Sequence, residues 1–177
     1  LGGQQSGNLD ALGFDLYTKM LERTIGELRG EDVADEISIS INLGIDLAIP
    51  KDYIIETGQR LRTYKRVSAA DSETDIENIR QELEDRYGSL PVSVDNLLQY
   101  SLLRRSAESM RLLSIEKAGG GLAIKFGPES KVDPDRLMEM VATNEGVTFS
   151  PNGVLRVASI GAEGPIAAAR ELLERVR

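Results

Sequence analysis

Apolar positions along the chain change their period several times, and each change marks an element. Between residues 11 and 29, Leu12, Leu16 and Met20 recur at helical spacing, and Phe14, Tyr17, Leu21, Ile25 and Leu28 widen the apolar arc. The spacing predicts a helix buried on two sides and stopped at Gly30. Residues 31–36 form a short acidic linker. Ile37, Ile39 and Ile41 then alternate with Ser38, Ser40 and Asn42, the period of a half-buried strand. Residues 44–54 carry no clear period and read as a connection.

Helix resumes from about 56 to 68, with Leu61, Tyr64 and Val67 on one side. Ser72 and Asp75 have capping-box spacing and open a helix whose stripe is Ile76, Ile79 and Leu83. Gly88 stands where a helix commonly ends in a left-handed residue. Pro91 starts a long helix to about 112, carrying Leu97, Leu98, Leu102 and Leu103.

The last third reads β-β-α-β-β-α. Leu113–Ala118 and Leu122–Phe126 flank Gly119-Gly120-Gly121. Asp133-Pro134 caps a helix to Val141. Val147–Phe149 and Val154–Ala158 flank Pro151-Asn152-Gly153, where the Asn-Gly pair predicts a type I′ turn. A helix over 164–176 closes the chain. The fold class expected is α+β: a helical N-terminal half plus a small antiparallel sheet backed by helices. The expected division is 1–33 as a helical appendage and 34–177 as a compact remainder.

The chain has 177 residues, with 21 Lys+Arg, 29 Asp+Glu, no His and no Cys, for a net charge of −8. Without Cys there are no disulfides, thiolate metal sites or Cys nucleophiles. Without His, the usual triads and most transition-metal sites are excluded. The acidity argues against a dedicated duplex-binding module, and 5% aromatic residues with no Trp argue against base-stacking platforms. No apolar run reaches the roughly 20 residues of a membrane helix. The start at Leu1 has no signal-peptide pattern and no initiator Met, which predicts a fragment or a processed chain.

Few groups are placed for chemistry. Gly119-Gly120-Gly121 precedes a strand, whereas a phosphate loop needs a helix N-terminus behind it. The carboxylates from Asp71 to Asp85 lie on one helix and its cap, and no metal or catalytic site is expected from them. Arg60, Arg62, Lys65 and Arg66 form the densest basic group. They read as a solvated face, with phosphate contact as the alternative. Within Glu82-Leu83-Glu84-Asp85-Arg86-Tyr87-Gly88, the i, i+3, i+4 spacing puts Glu82, Asp85 and Arg86 on one face, turned away from the apolar stripe. Two readings stand: a charged docking patch, or an ion pair satisfied on a wet helix.

Two stretches resemble a known family. Leu1-Gly2-Gly3-Gln4-Gln5-Ser6-Gly7 with Gly13-Phe14-Asp15-Leu16-Tyr17 looks like the end of the translocation motif of bacterial transcription-repair coupling factors (Mfd), part of which the helicase RecG shares. Arg60-Leu61-Arg62-Thr63-Tyr64-Lys65-Arg66, Glu82-Leu83-Glu84-Asp85-Arg86-Tyr87-Gly88 and Leu90-Pro91 resemble the C-terminal domain of the coupling factors. RecG has no counterpart of these. The resemblance covers about residues 1–126.

It implies a non-catalytic regulatory domain of an ATP-driven translocase. Such a domain docks on the UvrB-like module of its own protein and masks the surface that UvrA uses. Glu82, Asp85 and Arg86 match the docking residues, and Gln5 matches the motif glutamine that couples ATP hydrolysis to DNA movement. The motif arginines would lie upstream. The resemblance therefore implies no cofactor in this chain, with ATP and Mg²⁺ held by motor domains elsewhere. RNA polymerase and DNA would be engaged by other domains, in the bacterial cytoplasm. The rival reading is an accessory domain that contacts nucleic acid through Arg60–Arg66.

Overall fold

The computed structural model describes residues 39–177. The predicted helix at 11–29, the acidic linker at 31–36 and Gln5 lie outside the described residues. Within the expected 34–177 remainder, the described residues fall into two compact units: 44–102, and 39–43 with 103–177.

The first unit begins with residues 44–56, which form no helix or strand. They still contribute the buried side chains Leu47, Ile49 and Ile54. Then come α1 (Thr57–Ser68), α2 (Glu73–Tyr87) and the first part of α3 (Val92–Ser109). In α2 the local code works throughout. The Ser72 hydroxyl accepts from the Asp75 amide at 3.1 Å and donates to the Asp75 carboxylate at 2.7 Å. Ile76, Ile79 and Leu83 are buried. Gly88 ends the helix at φ +85°, its amide bonded to the Glu84 carbonyl at 2.9 Å.

In α1 the buried face is Thr63, Tyr64 and Val67. Leu61, expected on that face, is 46% exposed. Thr63 takes the place because its hydroxyl bonds back to the Gln59 carbonyl at 2.9 Å, which lets a polar residue be buried. The Tyr64 hydroxyl accepts the Ile49 amide at 2.6 Å, tying the irregular segment to α1.

The second unit carries a five-stranded sheet ordered β1-β2-β3-β5-β4. Its strands are β1 (Ser40–Asn42), β2 (Leu112–Ala118), β3 (Gly121–Phe126), β4 (Val147–Ser150) and β5 (Val154–Val157). The α+β class is as expected, but the sheet is mixed. β1 joins it parallel to β2, with Ile41 opposite Ile115. The register carries that row on through Ile124, Leu155 and Phe149. Helices α4 (Pro134–Thr143) and α5 (Pro165–Val176) pack on each other, α4 against β4 and α5 against β3. The opposite face is set by Ser114, Lys125, Val154 and Ser150 in one row and Glu116, Ala123, Arg156 and Thr148 in the next.

α3 ends at Ser109, three residues before the expected limit. Arg111 takes a left-handed conformation, φ 54°, and turns the chain into β2. The β4–β5 turn is a three-residue loop closed by Ser150 opposite Val154. Gly153 is at φ +78° and Asn152 is not left-handed, so the turn is not type I′. Pro151 fixes φ near −65° at the first loop position, which selects a type I turn followed by a left-handed glycine. The Gly153 amide closes it on the Ser150 carbonyl at 2.9 Å.

Candidate interaction surface

Every position of interest in the first unit converges on α1 and the last turn of α2. On α1, Gln59, Arg62, Thr63 and Arg66 recur at i, i+3, i+4 and i+7, so they share a side of the helix. On α2, Glu82, Leu83, Arg86 and Tyr87 face them. Together they line a shallow groove of about 140 Å³.

Glu82 is the hub of that groove. Its Oε1 accepts from Arg66 Nη1 and from Arg86 Nη1, each at 3.0 Å, and its Oε2 accepts from Arg66 Nη2 at 2.7 Å. The Arg66 pair is bidentate and joins the two helices. The Arg66 hydrogen bond holds the Glu82 carboxyl below the usual carboxylate range, with the Arg86 bond adding to the effect. The same bond raises Arg66. Asp85 and Arg86 are exposed beside this hub. The Asp85 carboxylate has neither hydrogen bond nor ion pair among the described residues.

Tyrosines anchor the end of α2. The Tyr87 hydroxyl donates to Gln59 Oε1, and the Arg86 guanidinium lies 5.8 Å from the Tyr87 ring centre. Tyr53 packs its ring at 5.7 Å from that of Tyr87. The Tyr53 hydroxyl sits within hydrogen-bond distance of the carbonyls of Leu83, 3.1 Å, and Gly88, 3.0 Å. Burial pushes the Tyr53 phenol up, and the nearby Glu84 charge adds to this. The turn that carries Asp85 and Arg86 is therefore bracketed by the Tyr53 hydroxyl at the Leu83 and Gly88 carbonyls.

The sequence places Glu82, Asp85 and Arg86 on one face, and the structure brings Glu82 and Arg86 into direct contact there. The basic group divides. Arg60 donates to the carbonyls of Ile54, 2.6 Å, and Ile55, 2.8 Å, and to the Thr57 hydroxyl, 3.1 Å. It ties down the start of α1, while Arg66 is engaged by Glu82. Arg62 and Lys65 are exposed and have no ion pair among the described residues. Sequence reasoning missed Gln59 and Tyr87 as groove residues and Arg66 as the partner of Glu82. The i, i+4 pair Arg62/Arg66 beside a helix ending in Arg86 was the available signal.

Gly119-Gly120 turns β2 into β3, with Ala118 opposite Gly121. Among the described residues, no group of three or more carboxylates is placed to hold a metal ion, and no helix is long and apolar enough to cross a membrane.

The sequence pattern of the TRCF domain family matches residues 43–137. The transcription-repair-coupling factor of Myxococcus xanthus is 33% identical over 147 residues, which is 83% of this chain and 12% of that protein. Those of Haemophilus influenzae and Escherichia coli are 32% and 31% identical, each over 80% of this chain and 13% of theirs. The chain thus spans a small fraction of the length of the relatives it matches. Among solved structures, the C-terminal domain of a transcription-repair coupling factor superposes with a TM-score of 0.64 at 20% identity, covering 78% of this chain and 94% of that one. That likeness speaks for the fold.

Proposed function

The chain belongs to the TRCF domain family of transcription-repair coupling factors, and from that premise we propose that it is a regulatory domain without catalysis of its own. It docks on the UvrB-like module of the same protein, covers the surface that UvrA uses, and uncovers it on release. The observation that carries this reading is the exposed Asp85–Arg86 turn, bracketed by the Tyr53 hydroxyl, linked to α1 by the Arg66–Glu82 pair and set beside a separately buried Ile76/Ile79/Leu83 stripe. A patch of opposite charges presented on a fixed turn suits recognition of a complementary charged surface. The turn is kept apart from the core, so docking and release need no refolding of the helix.

Masking by such a domain is a population shift. The docked and released states need differ by only a few kcal/mol for an event elsewhere in the protein to switch them. ATP, Mg²⁺, DNA and RNA polymerase belong in this reading to other domains of the full-length protein, in the bacterial cytoplasm. Direct nucleic-acid contact through α1 is the weaker alternative. Arg60 and Arg66 direct their donors inward, which leaves Arg62 and Lys65 for phosphates.

The test is made in the full-length protein. Asp85→Arg should increase UvrA capture at equal protein concentration. Unchanged capture by a folded variant would reject the masking role.

A further inference from the structure

Three guanidinium groups, those of Arg62, Arg66 and Arg86, line the groove against one carboxylate, Glu82. This surplus of positive charge sits on a chain whose net charge is −8. A guanidinium carries five N–H donors. Arg66 gives two of them to Glu82 and Arg86 gives one. The Arg62 side chain has no hydrogen bond or ion pair among the described residues. Glu82 already accepts three hydrogen bonds, and a carboxylate offers roughly four sites. The groove is thus rich in unused donors, while its own carboxylate is close to saturated.

We infer that this groove receives a carboxylate side chain of the docking partner, gripped by Arg62 and Arg86, and that Glu82 is a positioning residue that aims Arg66 and Arg86. The inference rests on the docking reading and specifies what the partner must carry: an acidic side chain for the groove and a cation opposite Asp85. The surroundings favour a single carboxylate over a nucleic-acid backbone. Glu84 and Asp85 are exposed on the same turn of α2 and repel a run of phosphates. One acidic side chain can enter between the arginines and leave those two carboxylates outside. A planar carboxylate also matches the fork of a guanidinium.

The experiment measures the affinity of this chain for the UvrB-like module of the same protein, with thermal melts in parallel. Arg62→Glu should weaken binding at least about tenfold without lowering the melting temperature, because Arg62 has no internal partner to lose. Arg62→Lys should retain a measurable part of the affinity. If Arg62→Glu binds like wild type while Asp85→Arg binds weakly, the groove inference fails and the docking reading stands. If neither variant loses affinity, both fail. A duplex DNA oligomer supplies the other arm: DNA binding abolished by Arg62→Glu with module binding intact would make the groove a phosphate site and overturn the inference. The role of Glu82 is read from a double-mutant cycle in binding. Glu82→Gln should weaken docking in the wild-type background and have little further effect beside Arg86→Met, because Glu82 acts through the Arg86 side chain it holds. Additive losses would make Glu82 a direct contact and overturn its positioning role.

Discussion

Arg66 and Glu82 lie 16 residues apart on different helices and are joined by two parallel hydrogen bonds of 3.0 and 2.7 Å. The pair is half exposed, with side-chain exposures of 48% and 37%. Its contribution to stability is therefore small, and its consequence is geometric. A double-mutant cycle with Arg66→Ala and Glu82→Ala, read by urea denaturation, should give a coupling of about 0.2–1 kcal/mol. A coupling several times larger would mean that the pair holds α1 and α2 together, and docking and folding could not then be separated by mutation.

The same pair sets a pH dependence. The Arg66 hydrogen bond depresses the Glu82 carboxyl in the folded state, while in the unfolded chain it titrates at about 4.3. A carboxylate with a depressed folded pKa adds stability that is fully present above the unfolded value. That stability is lost as pH falls through the folded one. Thermal melts of wild type and Glu82→Gln should therefore differ by a constant amount near neutrality and converge only at the acid end. Convergence already between pH 6 and 7 would contradict the pairing.

Tyr64→Phe removes a buried hydrogen bond. The phenol accepts the Ile49 amide at 2.6 Å, and Tyr64 is 6% exposed. Removing the hydroxyl leaves a buried N–H without a partner, which costs about 1–3 kcal/mol. Denaturant titration checks this. A loss below about 0.5 kcal/mol would mean that another group meets the Ile49 amide.

Two glycines of the sheet unit should refuse side chains for different reasons. At Gly121 an added Cβ would lie 1.7 Å from the Val157 carbonyl oxygen, where β3 and β5 pair. Gly121→Ala should cost about 1–3 kcal/mol, at the upper end because backbone must move to relieve the overlap. At Gly153 the obstacle is the left-handed φ of +78° together with the Phe126 carbonyl oxygen, 3.0 Å from an added Cβ. Gly153→Val should lower the melting temperature for both reasons. An unchanged melt in either variant would place that turn elsewhere.

How much of this could be read in advance depended on range. α2 was legible from end to end, because its Ser72 cap, its stripe and the Gly88 stop are all local signals. The β2–β3 hairpin followed from its glycine turn. The parallel pairing of β1 did not, since nothing within Ser40–Asn42 says which strand it joins. The Asn152-Gly153 dipeptide pointed to type I′, but the preceding Pro151 decides the turn. Arg86 could be placed beside Glu82 from i, i+4 spacing alone. Arg66 could not, because that contact needs the packing of α1 on α2. The local ion pair was therefore visible in the sequence, and the groove built around it was not.

In the proposed reading the Asp85–Arg86 turn is a docking face distinct from the core. That reading is tested most directly by titrating the UvrB-like module with this chain, wild type against Asp85→Arg. Asp85 is exposed and has no internal ion pair or hydrogen bond among the described residues, so the substitution should shift stability by about 0.5 kcal/mol or less. Across a docked interface, loss of a desolvated charge pair costs about 2–5 kcal/mol. Affinity should fall about 30-fold or more while the melting curve stays in place. Equal affinity of a normally folded Asp85→Arg variant would contradict that reading and leave Glu82 and Arg86 as an ordinary ion pair on a solvated helix.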